Sequence, residues 1–182
     1  MVLTKSRSDL NSEFSAPDFD LPGVDGQNYT LQSFAAAKVL VVIFMCNHCP
    51  YVLAVLARLN RLGAEFQAQG VQFVGINAND AKAYPTDSFA EMQKLAIQFP
   101  YLHDETQAIA KSYQAVCTPD IFVFGPDRKL KYHGRIDDNW QDEKAVKKRE
   151  LKKALQNILQ GREVAAWRPS MGCSIKWKTK GR

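Results

Sequence analysis

Apolar residues run without a break from Val39 to Phe44, V-L-V-V-I-F, and the pattern then changes period. A short, mostly β-branched run of this kind predicts a strand covered on both faces. From about Pro50 to Gln69 the apolar positions are Val52, Val55, Leu56, Leu59, Leu62 and Phe66, one face of an amphipathic helix. Pro50 suits a first helical turn, where its missing N–H costs nothing, and Gly70 suits a helix stop. Val71 to Ile76 predicts a second buried strand. Strand, helix and strand then form a βαβ unit with a parallel pair.

The flanking sequence extends this unit. Ala16 to Leu21 and Val24 to Asn28 predict a hairpin turning at Asp25-Gly26, and Leu31 to Ala35 one helical turn. Ala81 to Thr86 reads as a loop. Phe89, Met92, Leu95 and Ala96 mark a helix ending before Pro100, and Gln107 to Tyr113 a shorter one. Ile121 to Phe124 and Lys129 to His133 predict a hairpin around Gly125-Pro126-Asp127. Leu151, Ala154, Leu155 and Ile158 line a final helix that stops at Gly161. Residues 1–13 read as a disordered N-terminus and 14–161 as one domain. Residues 162–182 form a basic tail without a period. Its Trp167, Met171, Ile175 and Trp177 carry too much apolar surface for a solvated segment, so the tail is expected to pack on the domain.

Composition narrows the class. Hydrophobic residues at 46% and charged residues at 24% are ordinary for a globular domain. No apolar stretch approaches the ~18 residues of a membrane span, and the polar N-terminus lacks an apolar signal core. Four Cys are too few for a disulfide scaffold in 182 residues, which favours a reducing, cytoplasmic setting. The net charge of +5 is uneven: residues 144–182 hold 12 Lys or Arg against Glu150 and Glu163. No nucleic-acid-binding motif accompanies this charge, so it reads as a solvated face and tail; neither nucleic acid nor membrane is expected as a partner.

The chemistry centres on Cys46-Asn47-His48-Cys49, placed where the buried strand ends and the helix begins. Helix N-termini carry unpaired N–H groups and partial positive charge, which stabilise a thiolate. The pair reads as a dithiol–disulfide switch. Cys46 is expected nearest the solvent, as the acidified attacking thiolate. Cys49, about one turn later, is the more buried resolving thiol, and His48 adds positive charge near the pair. A zinc reading would have to recruit Cys117, Cys173 or His48 from irregular spacings; two inert, buried Cys are the bland alternative. No metal or prosthetic group is expected.

The order βαβ, helix, β-hairpin, helix resembles the thioredoxin arrangement. With Ala16-Pro17-Asp18-Phe19, the Asp25-Gly26 turn, Cys46 to Pro50, Phe99-Pro100-Tyr101-Leu102-His103-Asp104 and Thr118-Pro119-Asp120-Ile121-Phe122-Val123, the chain from about Phe14 to Gly161 resembles the thioredoxin-like redoxins of the alkyl hydroperoxide reductase and thiol-specific antioxidant superfamily. The tail from Pro169 to Trp177 resembles that of an uncharacterised subgroup of thioredoxin-like proteins. The resemblance implies an α/β thioredoxin-like fold, with a central mixed sheet flanked by helices. It also implies a cis Thr118–Pro119 bond beside the C-x-x-C, where an extended substrate could pair with Thr118.

The chain departs from that pattern at Met45, where thioredoxins usually have Trp, and at Leu40, where they have a buried Asp. Val52 stands where related reductases of cytochrome maturation often carry Glu. No carboxylate base for Cys49 is evident; Asp104 and Glu105 read as the start of a short helix. The peroxiredoxin motif Pro-x-x-x-Thr-x-x-Cys fits neither Cys46, preceded by Val39 and Ile43, nor Cys49, preceded by Val42 and Cys46. Cys117 and Cys173 are either additional redox cysteines or packed side chains, and His103 and His133 are structural or exposed. The expected function is thiol–disulfide oxidoreductase, acting on protein or small-molecule disulfides with a thiol electron donor. The alternatives are a thiol-dependent peroxidase and a redox-responsive binding module.

Overall fold

The computed structural model describes residues 3–179. In chain order its elements are β1 (Leu3–Lys5), β2 (Asp20–Pro22), β3 (Asn28–Thr30), β4 (Val39–Phe44), α1 (Pro50–Gln67), β5 (Val71–Asn77), α2 (Phe89–Met92), β6 (Tyr101–His103), α3 (Ala108–Ser112), β7 (Cys117–Thr118), β8 (Asp120–Phe124), β9 (Leu130–Gly134), α4 (Glu150–Leu159) and β10 (Met171–Ser174). The central sheet has the order β6-β5-β4-β8-β9. β4 runs parallel to β5 from Val39↔Val71 to Phe44↔Ile76, and antiparallel to β8. This is the α/β thioredoxin-like architecture, with a mixed sheet and helices on both sides.

Every residue of β4 is buried because both faces of the sheet are covered. Alternate side chains point to opposite faces. Val39, Val41 and Ile43 meet Val55 and Leu59 of α1 and Leu151 and Leu155 of α4. Leu40, Val42 and Phe44 meet Phe19, Phe34, Tyr113 and Phe122 on the other side. Burying each such side chain contributes roughly 1.5–3 kcal/mol. Gly70, at φ +88°, makes the left-handed turn that carries the chain from α1 into β5.

Three regions differ from the sequence reading. Residues 1–2 lie outside the described residues, but Leu3–Lys5 is a strand rather than disordered chain. It pairs antiparallel with β10, Leu3↔Cys173 to Lys5↔Met171, and Ser6 N–H donates to Ser170 O at 2.9 Å. Backbone pairing orders this segment; Leu3 is 56% exposed, so no apolar period marks it in the sequence. The helix expected to run to Ala96 stops at Met92. Lys94 and Leu95 close tighter i→i−3 bonds to Glu91 and Met92, and Pro100 follows. Beyond it, Tyr101–His103 forms an unpredicted edge strand parallel to β5.

The tail crosses the body as the centre of a second sheet, β1-β10-β7. Arg135 N–H donates to Arg168 O and Ser170 Oγ to Gly134 O before the strand; Ile175 N–H donates to Val116 O after it. Lys176 N–H and Lys178 N–H then reach Asn79 Oδ1 and Gln107 Oε1. The tail is thus held to four separate parts of the domain.

Candidate active site

Cys46 follows the end of β4, and Cys49 is the N-cap of α1, with Pro50 in the first turn. The strand brings the pair to the sheet's carboxyl end, and the helix begins on its second thiol. Both cysteines are fully buried and neither is in a disulfide. The expectation that Cys46 lies at the solvent edge is therefore not met in this conformation. Asn47 and His48, between them, are half-buried.

The two sulfurs are hydrogen-bonded to each other and titrate as a pair. The bond to Cys49, then burial, then the Asp87 carboxylate push the Cys46 thiol up. The hydrogen bond received from Cys46 pulls Cys49 down to about 4. The acidity therefore belongs to the pair, which holds one proton tightly and gives up the other easily. Thr118 O lies 3.1 Å from Cys49 Sγ and can only accept, so it holds the proton when that proton is on Cys49. Thr118 Oγ1 lies 3.6 Å from Cys46 Sγ and can donate to a thiolate there.

Asp87 is the residue that the sequence reading missed. It sits in the turn Pro85–Asp87 and is fully buried. Its carboxylate accepts Asn47 N–H at 2.8 Å and Asn79 Nδ2 at 2.7 Å, and lies 2.7 Å from His48 Nδ1. Asn77 Nδ2 donates to its backbone carbonyl, and Tyr101 Oη donates to Asn47 Oδ1. A buried carboxylate needs such partners. The ligand atoms of Cys46, His48 and Asp87 lie within 4.8 Å of one another. Thiolate, imidazole and carboxylate could hold a borderline-soft divalent ion, but Asp87 is already engaged by two donors. The same three groups also form an acid–base relay beside a thiol. The His48 ring stacks parallel on Tyr84, with centroids 5.8 Å apart, and Lys176 Nζ sits over Tyr84.

The other sequence candidates fall on either side of this pair. The Thr118–Pro119 bond is cis. Cys173 pairs directly with Thr118 and makes hydrogen-bond contact with Cys49, while burial raises its thiol to about 12. Cys117 points the other way, its Sγ 3.7 Å from Pro119 O, and burial pushes its thiol up. His133 is buried against Asp120 at 2.7 Å and stacks on Phe122, a structural pair. His103 is half-buried beside Phe89. Asp104 caps α3 through Ala110 N–H. The Thr118 edge, expected to be open for an extended substrate, is occupied by β10.

The AhpC/TSA family model matches residues 14–133. The chain belongs to the AhpC/TSA family. Its members include the thioredoxin-like redoxins, and the fold and the thiol site agree with redox enzyme chemistry. An uncharacterised conserved protein from Geobacillus kaustophilus shares 40% identity over 100% of this chain and 99% of its own, with a TM-score of 0.93. A hypothetical protein from Sinorhizobium meliloti shares 36% identity over 96% and 98% of the two chains, with a TM-score of 0.90. The exposed lipoprotein thioredoxin of Streptococcus pneumoniae shares the fold at 20% identity, covering 80% of this chain and 99% of its own, with a TM-score of 0.61. No curated protein matches the sequence. Among the described residues no helix is long and apolar enough to cross a membrane.

Proposed function

We propose that this AhpC/TSA-family protein is a thiol–disulfide oxidoreductase that works through Cys46 and Cys49 without a prosthetic group, in the cytoplasm. The observation that carries this reading is the hydrogen-bonded thiol pair at the start of α1, flanked by the buried Asp87–His48 pair. A proton hop from Cys46 to Cys49, where Thr118 O accepts it, leaves Cys46 as the thiolate on the His48 side. Cys46 attacks a substrate disulfide, forms a mixed disulfide and releases one substrate thiolate. Cys49, with its proton passed to the released sulfur, then attacks Cys46 Sγ and releases the second. The substrate gains two electrons and the protein is left as the Cys46–Cys49 disulfide, which a thiol donor reduces again. Asp87 and His48 lie where the proton of Cys46 can be held or returned.

A groove lined by Tyr51, Trp140, Pro119, Ile136 and Met171 runs beside the site. Tyr51 and Trp140 pack with ring centroids 4.2 Å apart, and the buried Arg58–Asp137 pair at 2.5 Å anchors the loop that carries Trp140. An apolar side chain next to a substrate disulfide fits there. Turnover of glutathione disulfide or insulin tests the reading, and Cys46→Ser should abolish it. Cys49→Ser should instead accumulate a mixed disulfide on Cys46. Cys46-dependent peroxide consumption without disulfide turnover would replace this reading with a peroxidase.

A further inference from the structure

Strand β10 occupies the backbone edge that Thr118 would offer to an extended disulfide substrate. In antiparallel pairing, directly opposed residues place their side chains on the same face, about 4.5–5.5 Å apart. Cys173 is directly opposite Thr118, whose side chain points at Cys46. Cys173 therefore faces the dithiol. Ser174, opposite Cys117, faces away with it. The Cys49 sulfur lies between Thr118 O, Cys46 and Cys173, and all three cysteines share one buried cluster. The pairing depends on Gly172: a Cβ there would run into the Thr118 carbonyl. The tail thus docks as a substrate would under strand addition, with a cysteine at the reacting position.

We propose that Cys173 is a third redox cysteine, an internal substrate thiol that exchanges with Cys49. This rests on the oxidoreductase reading above. In the oxidised protein the Cys173 sulfur attacks Cys49 Sγ. The Cys49–Cys173 bond forms, the Cys46–Cys49 bond breaks, and Cys46 leaves with the pair of electrons. The proton lost from Cys173 ends on Cys46. The exchange is redox-neutral and needs no other reactant. It parks the disulfide in the buried edge and returns Cys46, the thiol beside His48, to its reduced form.

The test oxidises the full chain carrying Cys46→Ala with diamide, which accepts two electrons and two protons as two thiols join. Free thiols are alkylated and disulfides mapped by mass spectrometry. The expected product is an intramolecular Cys49–Cys173 disulfide, lost in the Cys46→Ala/Cys173→Ser double variant. In the parent protein, oxidised and alkylated in acid, a fraction should carry alkylated Cys46 together with the Cys49–Cys173 link. Cys49 and Cys173 remaining alkylatable in Cys46→Ala, with only Cys46–Cys49 in the oxidised parent, would overturn the inference and leave the oxidoreductase reading standing. A parent that forms neither a Cys46–Cys49 nor a Cys49–Cys173 disulfide would overturn the reading itself. Circular dichroism of each variant against the parent distinguishes a folding defect, and the parent mapping decides the matter without any substitution.

Discussion

The two flanks of the Cys46–Cys49 pair differ in kind. On one side stand Asp87, His48 and Tyr84, polar groups linked in series and partly open, with Tyr84 39% exposed. On the other stand Thr118, Cys173 and the tail strand, closed and built from backbone and sulfur. Under the proposed function, one flank would hold or pass a proton and the other would accept a sulfur–sulfur bond. Thiol–disulfide exchange needs both operations, and the two flanks are separated in space. Asn79 joins them: its Nδ2 donates to Asp87 and its Oδ1 accepts the backbone N–H of Lys176 in the tail.

The sharpest way to break the proton flank is Asp87→Ala. It strands the Asn47 N–H, the Asn79 amide and the His48 ring beside a buried hole. Unfolding free energy should fall by about 3–5 kcal/mol in chemical denaturation. Asp87→Asn keeps the volume and tests the chemistry: disulfide turnover should drop on the order of a hundredfold with the fold retained. Unchanged turnover in Asp87→Asn would reduce this flank to scaffolding.

The sulfur flank is tested by Gly172→Ala, whose Cβ drives β10 off the Thr118 carbonyl. A loss of about 1–3 kcal/mol is expected. Hydrogen exchange should speed up in β1, β7 and β10 while β4 and β5 stay protected. Uniform acceleration across the central sheet would mean that the tail and the core are one cooperative unit.

The thiol pair between the flanks gives a pH signature. The hydrogen bond from Cys46 holds Cys49 at about 4, below the ordinary thiol value, so one thiolate persists above that pH and disappears as the pH falls through it. The thiolate absorbance of reduced protein near 240 nm should therefore survive at pH 6 and be lost near pH 4, and Cys46→Ala should move the transition upward. Asp87→Asn removes an anion that disfavours a Cys46 thiolate, so the second proton should leave at lower pH than in the parent. The smallest expected effect is that of Lys176→Ala. It removes a cation placed 5.7 Å from the Tyr84 ring centroid, which contributes only about 0.5–1 kcal/mol at an exposed site. A thermal melt should show a shift of a few degrees or less.

The central unit was legible because its residues obey local rules. V-L-V-V-I-F reads as a doubly covered strand because it is short and mostly β-branched, Pro50 marks the helix start, and Gly70 marks its end. The hairpin at Asp25-Gly26 and the one before Leu130 follow turn chemistry in the same way. Asp87 was not legible. It lies forty-one residues beyond Cys46 in a turn with no period, and only the parallel pairing of β5 with β4 brings it near. The one local hint was Asn77-Ala78-Asn79, polar side chains ending a buried strand, which must find partners. The β1 and β10 strands were hidden for another reason. Their order comes from long-range backbone pairing, which leaves almost no mark on side-chain pattern. Helix position alone says nothing of the partner thiol or the nearby carboxylate, both of which bear on the acidity of the pair.

The pairing of β1 with β10 has a mechanical consequence. Leu3 lies opposite Cys173 and Lys5 opposite Met171, so the first residue of β1 and the last residues of β10 lie at the same end of the small sheet. Tension applied between those two points pulls across the ladder, loading its bonds one at a time rather than all together in shear. Such a joint opens like a zipper, at low force. The strand freed first is β1, at the edge; β10 stays paired with β7 at Cys173↔Thr118 and Ser174↔Cys117, so the outer ladder can open while the thiol site stays covered.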